Sequence, residues 1–262
     1  MAHAADLTPA MFIGHGSPLT AFQDNAYVEA WRTLGQTLPR PRAILVVSAH
    51  WYVQGTAVTA MAAPPTVHDF HGFPEALYRF RYAAPGSPEL AARATELAQP
   101  TPVVQSQRWG LDHGAWTVLM HLYPEADIPV IQFSLDGLKS PAEHYDLGRR
   151  LAPLREEGVL VMGSGNIVHN LRLYDRNPDT PPNPSALRFR REVQARLDQR
   201  DHQGLIDYMA IGPEAQLAAP TPDHFLPLLY IAALQRDGES PAYLTEVTEG
   251  GGLDMTSVVF GG

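Results

Sequence analysis

The 262-residue sequence has no cysteine, a single lysine (Lys139) and no long apolar run. Without cysteine there is no disulfide framework, thiolate zinc site, iron–sulfur cluster or cysteine nucleophile. Any transition metal would have to rest on histidine and carboxylate. The absence also fits a reducing compartment. Basic residues number 19 against 28 acidic ones, for a net charge of −9, and no Lys/Arg cluster stands out. A phosphate backbone needs a basic footprint, so no nucleic-acid partner is expected. The longest apolar stretches, residues 43–47 and 226–234, fall far short of the ~20 residues a membrane helix needs. Residues 1–10 lack a basic region followed by an apolar one, so no secretory signal is expected. Together these features predict a cytoplasmic protein with no membrane partner.

What is present suits a folded globular protein. Hydrophobic residues make up 45% and charged ones 18%, enough to bury a core and too apolar for a disordered chain. Short apolar runs at residues 11–13, 43–47, 128–133 and 159–162 each end in turn-type residues, as strands buried on both faces do. Further strands are expected at 56–61, 243–247 and 256–260, and an edge at 79–83. Between them lie helix patterns at 24–38, 89–98, 113–122, 142–154, 186–199 and 224–235, with Ser87, Asp112, Ser140 and Ser185 as N-caps. The alternation predicts an α/β fold: a single three-layer α/β/α sandwich with a mainly parallel, mixed central sheet, forming one domain over residues 1–262.

The eleven histidines are the compositional oddity, and their placement matters more than their number. His15 follows the first strand, His50 the second, and His169 lies just past the strand at 159–162. Open α/β sheets bind ligands outside the carboxyl ends of their strands, so three histidines are expected at one edge. His113 and His224 sit at expected helix starts, where the positive end of the helix disfavours imidazolium. A neutral ring is what metal binding requires. Taken singly, each of these is more often a turn or hydrogen-bonded core histidine than a ligand. His121 and His144 read as ordinary helix residues, and His3 and His202 as solvated ones.

The segments Gly14-His-Gly-Ser-Pro18, Ser48-Ala-His-Trp51, Asp69-Phe-His-Gly-Phe-Pro74, Asp112-His-Gly-Ala-Trp116, Gly163-Ser-Gly-Asn-Ile-Val-His-Asn-Leu171 and Pro222-Asp-His-Phe-Leu-Pro227 occur in this order. Together they resemble the class III extradiol ring-cleaving dioxygenases, in particular the 4,5-DOPA extradiol dioxygenase branch. The resemblance implies a non-haem site with one divalent metal ion per chain, held by His15, His50 and His224. It implies catalytic roles for His169 and His113. It makes the 69–74 loop part of the pocket wall, with Asp69, Phe70, Phe73 and Trp51 facing the substrate. The implied reaction inserts O₂ into the ring of a DOPA-like catechol to give a ring-opened semialdehyde. The implied partners are therefore a small aromatic diol and O₂.

A third histidine in place of the glutamate used elsewhere in the class leaves three neutral ligands, which also suit Zn²⁺. Ring cleavage by O₂ needs electrons to move, and Zn²⁺ has no redox chemistry. Fe²⁺ is therefore expected for turnover and Zn²⁺ as an occupant of the isolated protein. Two rivals remain at this stage: a zinc hydrolase using an activated water on a small carbonyl substrate, and a non-catalytic metal-binding paralogue.

Overall fold

A computed structural model describes residues 7–177 and 180–261. Ten strands form in chain order: β1 (Ala10–Gly14), β2 (Ala43–Val53), β3 (Thr56–Thr59), β4 (Val103–Ser106), β5 (Val130–Asp136), β6 (Val159–Gly165), β7 (Ala242–Leu244), β8 (Thr248–Glu249), β9 (Leu253–Asp254) and β10 (Ser257–Phe260). Eight make one sheet in the order β4-β3-β5-β2-β6-β1-β10-β7, and β8 pairs with β9 in a separate ribbon. The central strands β5, β2, β6 and β1 run parallel. Antiparallel pairings enter at β3–β5, β1–β10 and β10–β7. The expected mixed α/β sandwich is the observed one.

The central strands read as continuous apolar runs because both faces are covered. Successive residues alternate between two cores, as the two-residue period of a strand requires. Ala10, Phe12, Leu45 and Val47 enter the core beneath the helices Pro88–Leu97, Pro141–Arg150, Pro184–Gln199 and Leu226–Ala232. Met11, Ile13, Ile44 and Val46 enter the other, beneath the helices Ala26–Thr37 and His113–Leu122.

Several local expectations shift. The second strand does not stop at residue 47 but runs to Val53, with a register irregularity between Val47 and Tyr52. His50 therefore lies within β2 rather than after it. The helix expected from residue 224 begins at Leu226, so His224 sits in the turn ahead of it. Asn183, not Ser185, caps the helix Pro184–Gln199, because Pro184 occupies its first turn. Residues 79–83 form no edge strand; the helix Glu75–Arg79 takes part of that stretch. The strand β4 and the short helices His202–Ile206 and Pro213–Ala218 were not anticipated. His3 lies outside the described residues.

His202 is not simply solvated: Tyr145 Oη and Gln235 Oε1 each lie 2.8 Å from one of its ring nitrogens. His144 is fully buried, with Tyr230 Oη 3.1 Å from Nδ1 and the Asp136 carbonyl 3.2 Å from Nε2. The carbonyl can only accept, so Nε2 carries the proton and Nδ1 accepts from Tyr230. Burial pushes the His144 pKa down to about 4. Above the unfolded value near 6.5 both states are neutral and the residue contributes no pH dependence. As pH falls from there to about 4, only the unfolded chain takes up the proton, so folding loses stability. The expected loss across that window is about 3 kcal/mol. Urea unfolding of the metal-free protein at pH 7.5 and pH 4.5 measures it. His144→Gln, less stable at both, should show a shallower dependence by about one proton.

Candidate metal and catalytic site

Five histidine rings from five separate segments meet at the carboxyl ends of the central strands. His15 follows β1, and its backbone N–H donates to the Gly165 carbonyl at 3.1 Å. Asn166 fixes the next peptide, its Nδ2 donating to the His15 carbonyl at 2.8 Å. His50 projects from the irregular half of β2. His113 is the first residue of its helix, capped by Asp112, whose carboxylate accepts from the Ala115 N–H. His224 is brought in by a close backbone approach: the Asn166 N–H donates to its carbonyl at 2.9 Å, and a Cβ at Gly165 would lie 2.2 Å from that oxygen. A side chain at Gly165 would push the His224 turn away. His169 is held by its backbone, which donates to the Ala218 carbonyl and bridges to Leu253.

In four of the five rings the outer nitrogen has a neighbouring partner, and this sets the tautomers. Ser164 Oγ donates its one hydrogen to the Gly114 carbonyl, so towards His15 Nδ1, 2.9 Å away, it can only accept. His15 therefore carries its proton on Nδ1. Asp69 Oδ2 lies 3.2 Å from His50 Nδ1 and 2.9 Å from His113 Nδ1, and Asp69 Oδ1 accepts from the His113 backbone N–H. Asp223 Oδ2 takes the proton of His224 Nδ1. In all four rings Nε2 is left as a bare lone pair. His15 Nε2 and His50 Nε2 face each other at 2.9 Å, and His224 Nε2 is buried with no hydrogen-bond partner. Lone pairs converging in a buried space without a donor suit a cation. Ligating histidines held from behind by a carboxylate or hydroxyl are the usual architecture of a metal site.

His15, His50 and His113 could hold a metal ion: each offers one ligand atom, and these atoms lie within 4.8 Å of one another. The His224 ring lies close by, its centroid 5.4 Å from that of His15 and 5.2 Å from that of His50. The His169 ring stacks on His224 at 3.4 Å, only 5° from parallel. Among the described residues no hydrogen bond from another residue holds the His169 ring nitrogens.

Burial, reinforced by the neighbouring histidines, holds the pKa values of His15 and His50 well below the usual histidine range. Burial, then His224, brings His169 down to about 3. These rings are neutral around pH 7. Burial alone would raise Asp69, but its hydrogen bonds from His113 outweigh this and keep the carboxyl below its ordinary value. Asp223 is brought to about 2, its partnership with His224 overcoming burial. Asp112 goes the other way, up to about 6, through full burial and the nearby Asp69.

Phe70 is buried, its ring 5.8 Å from His113 and 5.2 Å from Phe73. Trp51 is buried and stacks on Trp109 at 5.7 Å. Asp69, expected on the pocket wall, has its side chain 12% exposed and spends its oxygens on histidines. Sequence reasoning passed over three supporting residues. Two are Ser164, behind His15, and Asp223, behind His224. Gly114 is the third: a Cβ there would lie 2.8 Å from Ser48 Oγ, 3.0 Å from His50 Cδ2 and 3.3 Å from His15 Cε1. An acidic residue or a glycine directly beside a candidate histidine was the available signal for the last two.

Comparison with known proteins gives consistent matches over nearly the whole chain. Residues 9–261 match the family described as the catalytic LigB subunit of aromatic ring-opening dioxygenase. A 4,5-DOPA dioxygenase extradiol from Escherichia coli (strain K12) is 49% identical over 97% of this chain and 94% of its own. One from Beta vulgaris is 39% identical over 92% of each. The crystal structure of an uncharacterised protein from Escherichia coli K12 superposes with a TM-score of 0.86 at 44% identity, covering 97% of this chain and all of that one.

Proposed function

The chain belongs to the family of catalytic LigB subunits of aromatic ring-opening dioxygenases, and from that premise we propose that it is a metal-dependent extradiol dioxygenase acting on a DOPA-type catechol. The product would be a ring-opened semialdehyde. The substrate class is supported by the names of the relatives. The observation that carries the reading is the set of converging Nε2 lone pairs, His15 facing His50 with His224 buried and unpartnered beside them.

We assign the metal to His15, His50 and His224, and leave His113 as the adjacent base. When bound, the divalent metal supplies positive charge that acidifies the catechol hydroxyls and, as Fe²⁺, the redox capacity that Zn²⁺ lacks. His113 Nε2 is a lone pair because Nδ1 is committed to Asp69, so it accepts a proton from a substrate hydroxyl. His169 is neutral, and its ring nitrogens are free to take a proton and later return it to the developing product. The buried Phe70 ring beside His113 supplies an apolar wall for an aromatic substrate.

The deciding experiment reloads metal-free protein, under anaerobic conditions, with Fe²⁺ or Zn²⁺ separately and then supplies L-DOPA and air. Oxygen uptake with a new visible absorbance is expected from the iron form alone. Activity in the zinc form only would refute the choice of iron, and uptake in neither would refute the ring-cleaving reading. His15→Ala, His50→Ala and His224→Ala should lose metal and turnover together. His169→Ala should keep its metal and lose about 10²–10⁴-fold in turnover, the usual contribution of a positioned acid–base group. His113→Ala should also keep its metal; if it loses the ion while His224→Ala retains it, the third ligand is His113.

A further inference from the structure

Asp69 touches two rings to which the proposed function gives different tasks, and among the described residues it is the carboxylate that does so. Asp223 serves His224 alone, and Ser164 serves His15 alone. The three donors that converge on Asp69 match what a carboxylate can accept and what an amide cannot. Oδ2 pairs with His113 Nδ1 at 2.9 Å and lies 3.2 Å from His50 Nδ1, and Oδ1 takes the His113 backbone N–H at 3.0 Å. An asparagine here has one acceptor and one NH₂ group. Whichever way it turned, its NH₂ would confront either the His113 backbone N–H or both imidazole N–H groups. Relief in the second case comes from moving the ring protons to Nε2, which fills the lone pairs aimed into the site.

We propose that Asp69 is a positioning residue that sets His50 as a metal ligand and His113 as a proton acceptor through one shared carboxylate oxygen. This rests on the ring-cleaving function proposed above. Asp69 thereby links two steps that separate residues could otherwise serve. A ring protonated at Nδ1 presents Nε2 to a metal, and the same tautomer in His113 presents Nε2 as a base. The imidazoles lie together, centroids 3.9 Å apart, so a turn of either about its bond to the backbone would disturb the other.

The test compares Asp69→Asn with Asp223→Asn, which removes the carboxylate behind His224. Zn²⁺ affinity is measured by competition with a chromophoric chelator, and kcat with L-DOPA is measured at saturating Fe²⁺. Both variants should bind metal about 10–100-fold more weakly, the usual effect of removing a partner behind a ligand. At saturating metal Asp69→Asn should stay at least 10-fold below wild type, because excess metal repairs a ligand but not a base. Asp69→Glu, which keeps both acceptors, should recover part of each loss. Wild-type affinity in Asp69→Asn would overturn the proposal, as would full recovery of its kcat at saturating metal. Long-range ¹H–¹⁵N spectra of the metal-free protein separate this from failure of the proposed function. Even if no catechol were turned over, His50 and His113 should both show Nδ1 protonation in wild type and a changed pattern in Asp69→Asn. Nε2 protonation of either ring in the wild-type protein would overturn the assignment. Matching apo-protein melting curves for wild type and Asp69→Glu are expected if the residue positions rather than supports; a collapse in Asp69→Glu with unaltered imidazole signals would make it a structural residue only.

Discussion

Gly114→Ala should strip the protein of its metal, although it removes no ligand and strengthens a helix on paper. Alanine is about 1 kcal/mol better than glycine inside a helix, and Gly114 is the second residue of the helix His113–Leu122. Local propensity therefore predicts a small gain. The packing predicts the opposite. The added methyl would lie 2.8 Å from Ser48 Oγ and 3.0 Å from His50 Cδ2, with His15 Cε1 at 3.3 Å. The first contact requires something to move. Ser48 Oγ donates to Asp112 Oδ1 at 2.8 Å in the buried network that caps this helix, and the two rings have their outer nitrogens tied. The cheapest escape displaces His15 and His50 from each other. Metal affinity should fall by about 10–100-fold, the order seen when ligand geometry is left unsupported. Equilibrium dialysis against Zn²⁺ beside a melting curve measures it; unchanged affinity would mean that the helix end slides instead.

Arg155→Met should cost about 3–5 kcal/mol, a large share of the roughly 5–15 kcal/mol that holds such a domain together. The Arg155 side chain is fully buried. Its Nε donates to the Thr8 carbonyl at 2.7 Å, Nη1 to the Leu234 carbonyl at 2.6 Å, and Nη2 to the Phe260 carbonyl at 3.2 Å. Both Nη atoms also reach Glu239, at 2.9 and 2.6 Å. One guanidinium thus satisfies the backbone before β1, the end of β10 and the chain beyond the helix Leu226–Ala232. Methionine fills a similar volume but takes the guanidinium from the Glu239 carboxylate and its donors from three carbonyls. Glu239→Gln, which keeps an acceptor for the guanidinium, should cost less. Urea midpoints of the two variants decide the order, and equal losses would reduce Arg155 to its ion pair.

The strands and helix caps of this fold were legible because they depend on near neighbours. Apolar runs ending in Gly or Ser gave β1, β5 and β6, and Ser87, Asp112 and Ser140 each accept the backbone bond expected of a cap. β2 exposed the limit of that signal. Polar residues after Val47 suggested a turn, but pairing of Tyr52 and Val53 with Leu135 and Asp136 carries the strand on, and no local pattern encodes a partner strand. At the site, the histidines announced themselves by closing apolar runs or opening helix patterns, whereas their supports did not. The role of Asp69 depends on two rings that lie 19 residues before it and 44 after it in the chain. Ser164 is tied to His15 across 149 positions. Such pairings exist only after the sheet has assembled.

The site's histidines span the chain from His15 to His224, and β1 hydrogen-bonds to β10 near its far end. On a ribosome delivering roughly 5–20 residues per second, the first strand therefore waits many seconds for one of its two neighbours. His15 and His50 emerge long before His224. With His224 as the proposed third ligand, metal capture at full strength is a late event in the life of each new molecule. It follows closure of the sheet rather than seeding it, and an incompletely made chain would compete poorly for the ion.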